Sequence, residues 1–130
     1  MAWGKKMIFL DTNVTIWAYQ GIEGLLSPKV LKLFDEDDLV YSPMVKLELQ
    51  YLYEIGKAKA SAEKVLKQLY SSIGLVEHDY SFSKVIEHAL HADWTREPFD
   101  RIITSHAQAL DAILLTKDKV IRKAYKKAIW

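Results

Sequence analysis

The sequence predicts an α/β fold in which helices cover both faces of a central parallel sheet. Two observations carry this. Short apolar runs alternate with longer stretches of helical periodicity along the whole chain. The first run, Met7-Ile8-Phe9-Leu10, is apolar throughout, as expected of a strand buried on both faces. No internal repeat, linker or low-complexity stretch interrupts the pattern, so residues 1–130 read as a single domain.

Taken in order, Ile8 to Leu10 form the first strand, ending in Asp11. Thr12 and Asn13 are good helix-capping residues, and a short helix follows from Val14 to Gln20. Gly21 and Gly24 mark a loop. Ser27-Pro28 opens a helix to about Asp35, with Ser as the cap and Pro in the first turn. Leu39 to Tyr41 is a second strand. Ser42-Pro43 repeats the start signal for a helix that runs to Ile55, before Gly56. Ala58 to Ser71 reads as a further helix, and Ile73 to Val76 as a third strand. Ser81 or Ser83 starts a helix through His91. After the loop from Asp93 to Glu97, Pro98 precedes a helix from about Phe99 to Leu110. Ile113 to Thr116 is a fourth strand, Lys119 to Lys126 a last helix, and Ala128 to Trp130 a last strand.

Composition sets bounds. Half of the 130 residues are hydrophobic and 27% are charged, a folded rather than a disordered balance. No apolar run approaches the ~20 residues of a membrane span, so no membrane is expected. The start, Met1 to Lys6, carries two lysines, but the apolar run after it is too short for a signal peptide. There is no cysteine, which excludes disulfides and thiolate metal sites and suits a cytoplasmic location. A net charge of +1 does not announce a nucleic-acid binder, so any such role must come from charge distribution.

Four acids stand out. Asp11 and Asp118 each follow a buried strand, at the sheet edge where open α/β folds bind ligands. Glu48 lies on an otherwise apolar helical face with Val45, Leu49 and Leu52. Asp100 sits in a helix's first turn, where the helix dipole favours an acid. Each has a bland explanation: Asp11 and Asp118 as turn or cap residues, Glu48 as a solvated helix position. Parallel topology, however, brings strand ends to one edge. Converging carboxylates need a cation or protons. Oxygen-only ligands point to hard ions, Mg²⁺ or Mn²⁺, which activate water and neutralise charge on a phosphoryl group.

The pieces Ile-Phe-Leu-Asp-Thr-Asn at the start, Glu48 after Ser42-Pro43, Glu97-Pro98-Phe99-Asp100-Arg101-Ile102-Ile103 and Leu114-Leu115-Thr116-Lys117-Asp118 together resemble a PIN domain. The likeness covers essentially the whole chain and is strongest to VapC-like toxins of toxin–antitoxin pairs. It implies a three-layer α/β/α fold and a metal-dependent endoribonuclease with Asp11, Glu48, Asp100 and Asp118 as the acid quartet that holds Mg²⁺ or Mn²⁺. Asn13 and Thr116 match small polar residues that support the acids. Glu97 stands where relatives often have Asp, and is left outside the ligand set. The resemblance also implies a small antitoxin partner and a homodimer.

An RNA substrate needs cationic contacts. Lys117, Lys119, Arg122, Lys123, Lys126 and Lys127 cluster near Asp118, the only acid among them, and Arg96 and Arg101 flank Asp100. They read either as a phosphate-binding rim or as a solvated helix face. His88 and His91 have helical metal-pair spacing, with nothing nearby to complete a site. His106 lies inside a helix. Trp17, Tyr19, Tyr51 and Tyr53 fall beside apolar helix positions, which suits a core or an antitoxin groove better than base stacking.

Two other readings compete. The fold and acids can persist in a catalytically inactive PIN-like module that serves assembly. A phosphoacceptor signalling domain would want two acids after the first strand and an Asp directly after the third. The first strand gives one acid, and Asp79 follows Glu77-His78.

Overall fold

The computed structural model describes residues 6–130, and the expectation about a signal peptide at Met1 to Lys6 falls mainly outside them. The elements are β1 (Met7–Leu10), α1 (Thr12–Gln20), α2 (Pro28–Glu36), β2 (Asp38–Tyr41), α3 (Pro43–Glu54), α4 (Ala62–Ile73), β3 (Val76–Glu77), α5 (Phe82–Ala89), α6 (Pro98–Ala109), β4 (Ile113–Leu115), α7 (Lys119–Ala124) and β5 (Ala128–Ile129). All five strands are parallel, in the order β3-β2-β1-β4-β5. Ile8 pairs with Leu39 on one side and Ile113 on the other.

Burial explains why β1 is central. Successive strand residues point to opposite faces, yet Ile8, Phe9 and Leu10 are all fully buried. Both faces are therefore covered, and the continuous apolar run is the sequence form of that fact. Leu39, Val40, Leu114 and Leu115 extend the same core. Among the described residues no helix is long and apolar enough to cross a membrane.

Strand order decides where a ligand fits. The chain steps outward from β1 through β2 to β3, then returns to lay β4 and β5 on the other side of β1. The switch point lies between the carboxyl ends of β1 and β4, where the two crossovers diverge and leave a crevice. Asp11 and Asp118 follow those two ends.

Several boundaries depart from expectation, each for a local reason. Helix α1 begins at Thr12 because Asp11 is the cap, accepting from Val14 N–H, rather than Thr12 or Asn13. Helix α4 begins at Ala62, not Ala58, because Ser61 caps it, accepting from Lys64 N–H. It continues through Ile73, which was expected in a strand. Gly74 stops it at φ 72°, a left-handed conformation that glycine adopts without a Cβ clash. The third strand accordingly shrinks to Val76–Glu77. Helix α5 ends at Ala89 rather than His91. Helix α7 ends at Ala124 rather than Lys126, where Tyr125 turns extended and its hydroxyl donates to the Ala112 carbonyl at 2.6 Å.

Candidate active site

Asp11 is built into the β1–α1 junction from both sides. Its N–H donates to the Leu115 carbonyl at 3.1 Å, so the β1–β4 ladder runs up to this residue. One carboxylate oxygen accepts from Val14 N–H at 2.8 Å, and the Thr15 hydroxyl donates to the Asp11 carbonyl at 2.8 Å. The side chain is held in one orientation with little access to solvent. Burial pushes its pKa up to about 6. Hydrogen bonds to Thr116 and Val14 pull against that, while the charges of Asp100 and Asp118 add to it.

Thr116 and Asp118 come from the neighbouring strand end. Thr116 is fully buried, and its hydroxyl oxygen accepts from Asp118 N–H at 3.1 Å. The hydroxyl proton is thereby left for the Asp11 carboxylate, so Thr116 joins two of the acids. Asp118 caps α7, with one oxygen accepting from Val120 N–H at 2.8 Å and Ile121 N–H at 3.0 Å. Asp11 and Asp118 are thus both caps and site candidates. The second carboxylate oxygen of each is not used in capping.

Glu48 and Asp100 arrive from helices. Glu48 on α3 is half-buried and accepts from the Thr12 hydroxyl. Burial raises its pKa, the Thr12 bond opposes this, and Glu97 and Asp11 add to the rise. Asp100 in the first turn of α6 is raised to about 6, first by burial, then by Glu97, Glu48 and Asp118. Asp11, Glu48, Asp100 and Asp118 therefore form one interacting set. Glu97 belongs to the same electrostatic neighbourhood. It caps α6 by accepting from Asp100 N–H, and its charge presses on both Glu48 and Asp100.

Thr12 was expected to cap α1, and its role as Glu48's donor emerges only from the fold. Replacing Thr12 by Val keeps its shape and removes that donor. Expected for Thr12→Val is an unchanged melting temperature and a Glu48 carboxyl that titrates higher still, because the bond opposing its burial is gone. A carboxyl NMR titration of Glu48 equal to wild type would mean that the Thr12 bond does not act on it.

Among the described residues the acids make no ion pair. Among the described residues the ion pairs are Lys46–Glu77 and Lys127–Asp111, neither involving these carboxylates. A cleft of ≈ 530 Å³ is lined by Asp11, Asn13, Trp17, Lys117, Asp118, Lys119 and Val120. Glu48 and Asp100 are not part of that lining. Among the described residues no three Asp, Glu or His side chains close on a common point tightly enough to enclose a metal ion. An all-oxygen, uncompensated donor set still fits a hard cation that keeps several waters, as Mg²⁺ does when held by one or two carboxylates.

The expected cationic rim divides. Lys117 and Lys119 line the cleft, and Asn13 stands exposed beside them. Arg122 donates to the Lys117 carbonyl at 3.1 Å, while its Nε is buried with no hydrogen-bond partner among the described residues. Lys123 is exposed on α7. Lys126 and Lys127 instead line a hollow with Lys6, Met7, Ala112 and Ile113, at the amino ends of β1 and β4. Three residues past the end of α7, the chain has already returned to the opposite edge of the sheet.

The two arginines near Asp100 are drawn elsewhere. Arg96 is exposed and donates to the Asp93 carbonyl at 3.0 Å. Arg101 donates to the carbonyls of Ala89 at 2.7 Å, Thr95 at 3.1 Å and Leu90 at 3.2 Å. Its planar fork clamps the end of α5 to α6. Arg101→Ala is expected to cost about 2–4 kcal/mol, since charge-assisted bonds are lost and carbonyls stranded. Arg101→Lys should recover less than half, because an ammonium cannot span three acceptors. Urea melts of the three proteins measure this.

The fold also brings together a buried histidine pair. His106 is fully buried, with Nδ1 3.0 Å from the Ser42 hydroxyl and Nε2 3.4 Å from Nδ1 of His78. Burial and His78 hold the His106 pKa down at about 4, and burial lowers that of His78. The neutral rings tie the cap of α3, which carries Glu48, to α6, which carries Asp100. A histidine directly after the third strand was the available signal. His88 and His91 are exposed, and among the described residues no metal cluster includes them. Trp17 packs edge-on against Trp130 at 5.7 Å, and Tyr51 lies 5.8 Å from Phe99.

Comparison with known proteins adds the following. The PIN domain family matches residues 8–127. No curated protein matches. Among solved structures, VapBC2 from Rickettsia felis bound to a promoter DNA fragment is similar at 21% identity and TM-score 0.66, covering 95% of this chain and 96% of that one. DNA-bound VapBC from Salmonella typhimurium is similar at 18% identity and TM-score 0.60, covering 91% of each chain. FitAcB from Neisseria gonorrhoeae is similar at 18% identity and TM-score 0.53, covering 94% and 95%.

Proposed function

The chain belongs to the PIN domain family, and from that premise we propose that residues 1–130 form a single-domain, metal-dependent endoribonuclease, the toxin of a toxin–antitoxin pair. The observation that carries this reading is the set of mutually repelling carboxylates at the sheet's switch point, none of them in an ion pair among the described residues. Such a set is unfavourable unless something positive completes it.

Asp11, Glu48, Asp100 and Asp118 would hold Mg²⁺ or Mn²⁺. When bound, the ion supplies an activated water and neutralises charge developing on the phosphoryl group. The chain's own residues do the rest. Val14 N–H and Thr116 fix the Asp11 carboxylate, and Thr12 fixes that of Glu48. Burial and the neighbouring acids raise the Asp100 pKa in the ion-free chain, a strain that a bound cation would relieve. Lys117 and Lys119 attract the phosphate backbone to the cleft, and Asn13 offers an amide beside it.

A small antitoxin is the proposed partner, on the family resemblance and one physical point. An arginine's planar fork can pair with the acid pocket and compensate it in place of the metal. Homodimer formation and a cytoplasmic location belong to the same proposal. The second reading is a catalytically inactive assembly module. It is favoured by the absence, among the described residues, of three ligands closing on one point.

Purified protein incubated with single-stranded RNA separates the two. Expected is cleavage with Mg²⁺ or Mn²⁺ and none with EDTA. Cleavage indifferent to chelator, or absent with every divalent ion, would sink the nuclease reading.

A further inference from the structure

Resting on the endoribonuclease reading, we propose that a groove between α1 and α4 binds the single-stranded RNA flanking the cleaved bond. The groove measures ≈ 570 Å³ and is lined by Tyr19, Gln20, Lys64, Lys67, Gln68 and Ser71. Every one of these side chains carries a hydrogen-bond donor, and none is acidic. That lining suits a polyanion. An apolar protein segment would find its counterpart on α3 and its carboxyl cap, where Leu47, Tyr51 and Ile55 are exposed.

Charge distribution supports the assignment. Residues 56–71 hold four lysines, Lys57, Lys59, Lys64 and Lys67, against one acid, Glu63, in a chain whose net charge is only +1. Glu63 faces away, lining a different groove with Tyr41 and Lys46. Lys57 and Lys59 line an adjoining hollow that shares Tyr19 and Gln20 with the first. Among the described residues Lys64 and Lys67 make no ion pair. Helix α4 is anchored by Val65, Leu66 and Leu69, so its lysines are not needed for packing.

Helix α1 contributes residues to both the acid cleft and the groove. Helix α1, Thr12–Gln20, contains no charged residue. Asn13 lines the cleft and Gln20 lines the groove, and both are exposed. Seven residues is two helical turns, so they share one face about 10 Å apart. Trp17 lines the cleft between them in sequence and offers a ring for base stacking. RNA with its scissile phosphate beside Asp11 can therefore follow α1 into the lysine groove.

The test measures binding of a labelled single-stranded RNA of about 12 nucleotides across a salt series, alongside cleavage by wild type. Lys64→Glu/Lys67→Glu should bind about tenfold more weakly, and Lys64→Gln/Lys67→Gln about threefold. The salt slope should become shallower by about one to two in both variants. A control with the same net charge as the first, Lys32→Glu/Lys84→Glu, should stay within about twofold of wild type. All variants are checked for unchanged melting. Affinity and salt slope unchanged in the groove variants, while wild type binds and cleaves RNA, would overturn the groove alone. Wild type that neither binds nor cleaves RNA would overturn the underlying reading as well. If a co-purified partner protein shields Lys64 and Lys67 from acetylation and RNA does not, the groove is a protein-docking surface and the proposal fails.

Discussion

Asp11→Asn is expected to lower RNA cleavage by about two to four orders of magnitude while the protein stays folded. Asparagine keeps an oxygen that can accept from Val14 N–H at the α1 cap, so the local scaffold survives. What disappears is the charge beside the carboxyl ends of β1 and β4, which in the proposed function helps to hold a cation. The check is a single-turnover assay with Mg²⁺ or Mn²⁺, with circular dichroism on the same samples. Cleavage equal to wild type would place the chemistry elsewhere.

The same substitution should change how stability depends on pH, by about 3 kcal/mol. The Asp11 carboxyl titrates near 3.8 in an unfolded chain and near 6 in the fold. Between those values the folded chain keeps a proton that the unfolded chain has released. Asp11 thus stabilises the fold most below about pH 4, and this contribution is lost as pH rises through about 6. Asp100 acts in the same direction with a smaller effect, being half-exposed. His106 opposes both. Its pKa falls from 6.5 to about 4 on folding, so its contribution is present above the unfolded value and lost as pH falls through the folded one.

These opposed slopes partly cancel in wild type, so the contribution is best read as a difference. Without divalent ion, Asp11→Asn should gain stability relative to wild type as pH rises from 4 to 7.5, and His106→Gln should lose it. Adding Mg²⁺ or Mn²⁺ at pH 7.5 should raise the melting temperature of wild type by several degrees and narrow its gap to Asp11→Asn. At pH 5 the ion should do little, because protons compete for the same oxygens. Thermal and urea melts at both pH values measure this. A gap between wild type and Asp11→Asn that does not change with pH would mean that Asp11 is not held protonated by the fold.

The sequence by itself determined the strands at the centre of the sheet and the acids that follow them. Ile8-Phe9-Leu10 is apolar at every position because both faces of β1 are covered, and a two-sided strand cannot hide that in its composition. Ser27-Pro28 and Ser42-Pro43 marked the starts of α2 and α3, because capping is a bond between near neighbours. Motif order and spacing were enough to identify the PIN family.

Tertiary structure alone decided what depends on which distant groups meet. Thr12 reads as a cap from its neighbours, but its hydroxyl belongs to Glu48, thirty-six positions away. Arg101 sits beside Asp100 in sequence, yet its fork faces three carbonyls at the end of α5 and the loop beyond. Lys126 and Lys127 continue a basic run past α7, but the return into β5 carries them to the far edge of the sheet. His78 and His106 meet only because the chain just after β3 comes up against the His106 position of α6. In each case the local pattern names a side chain's chemistry, and the path of the backbone chooses its partner.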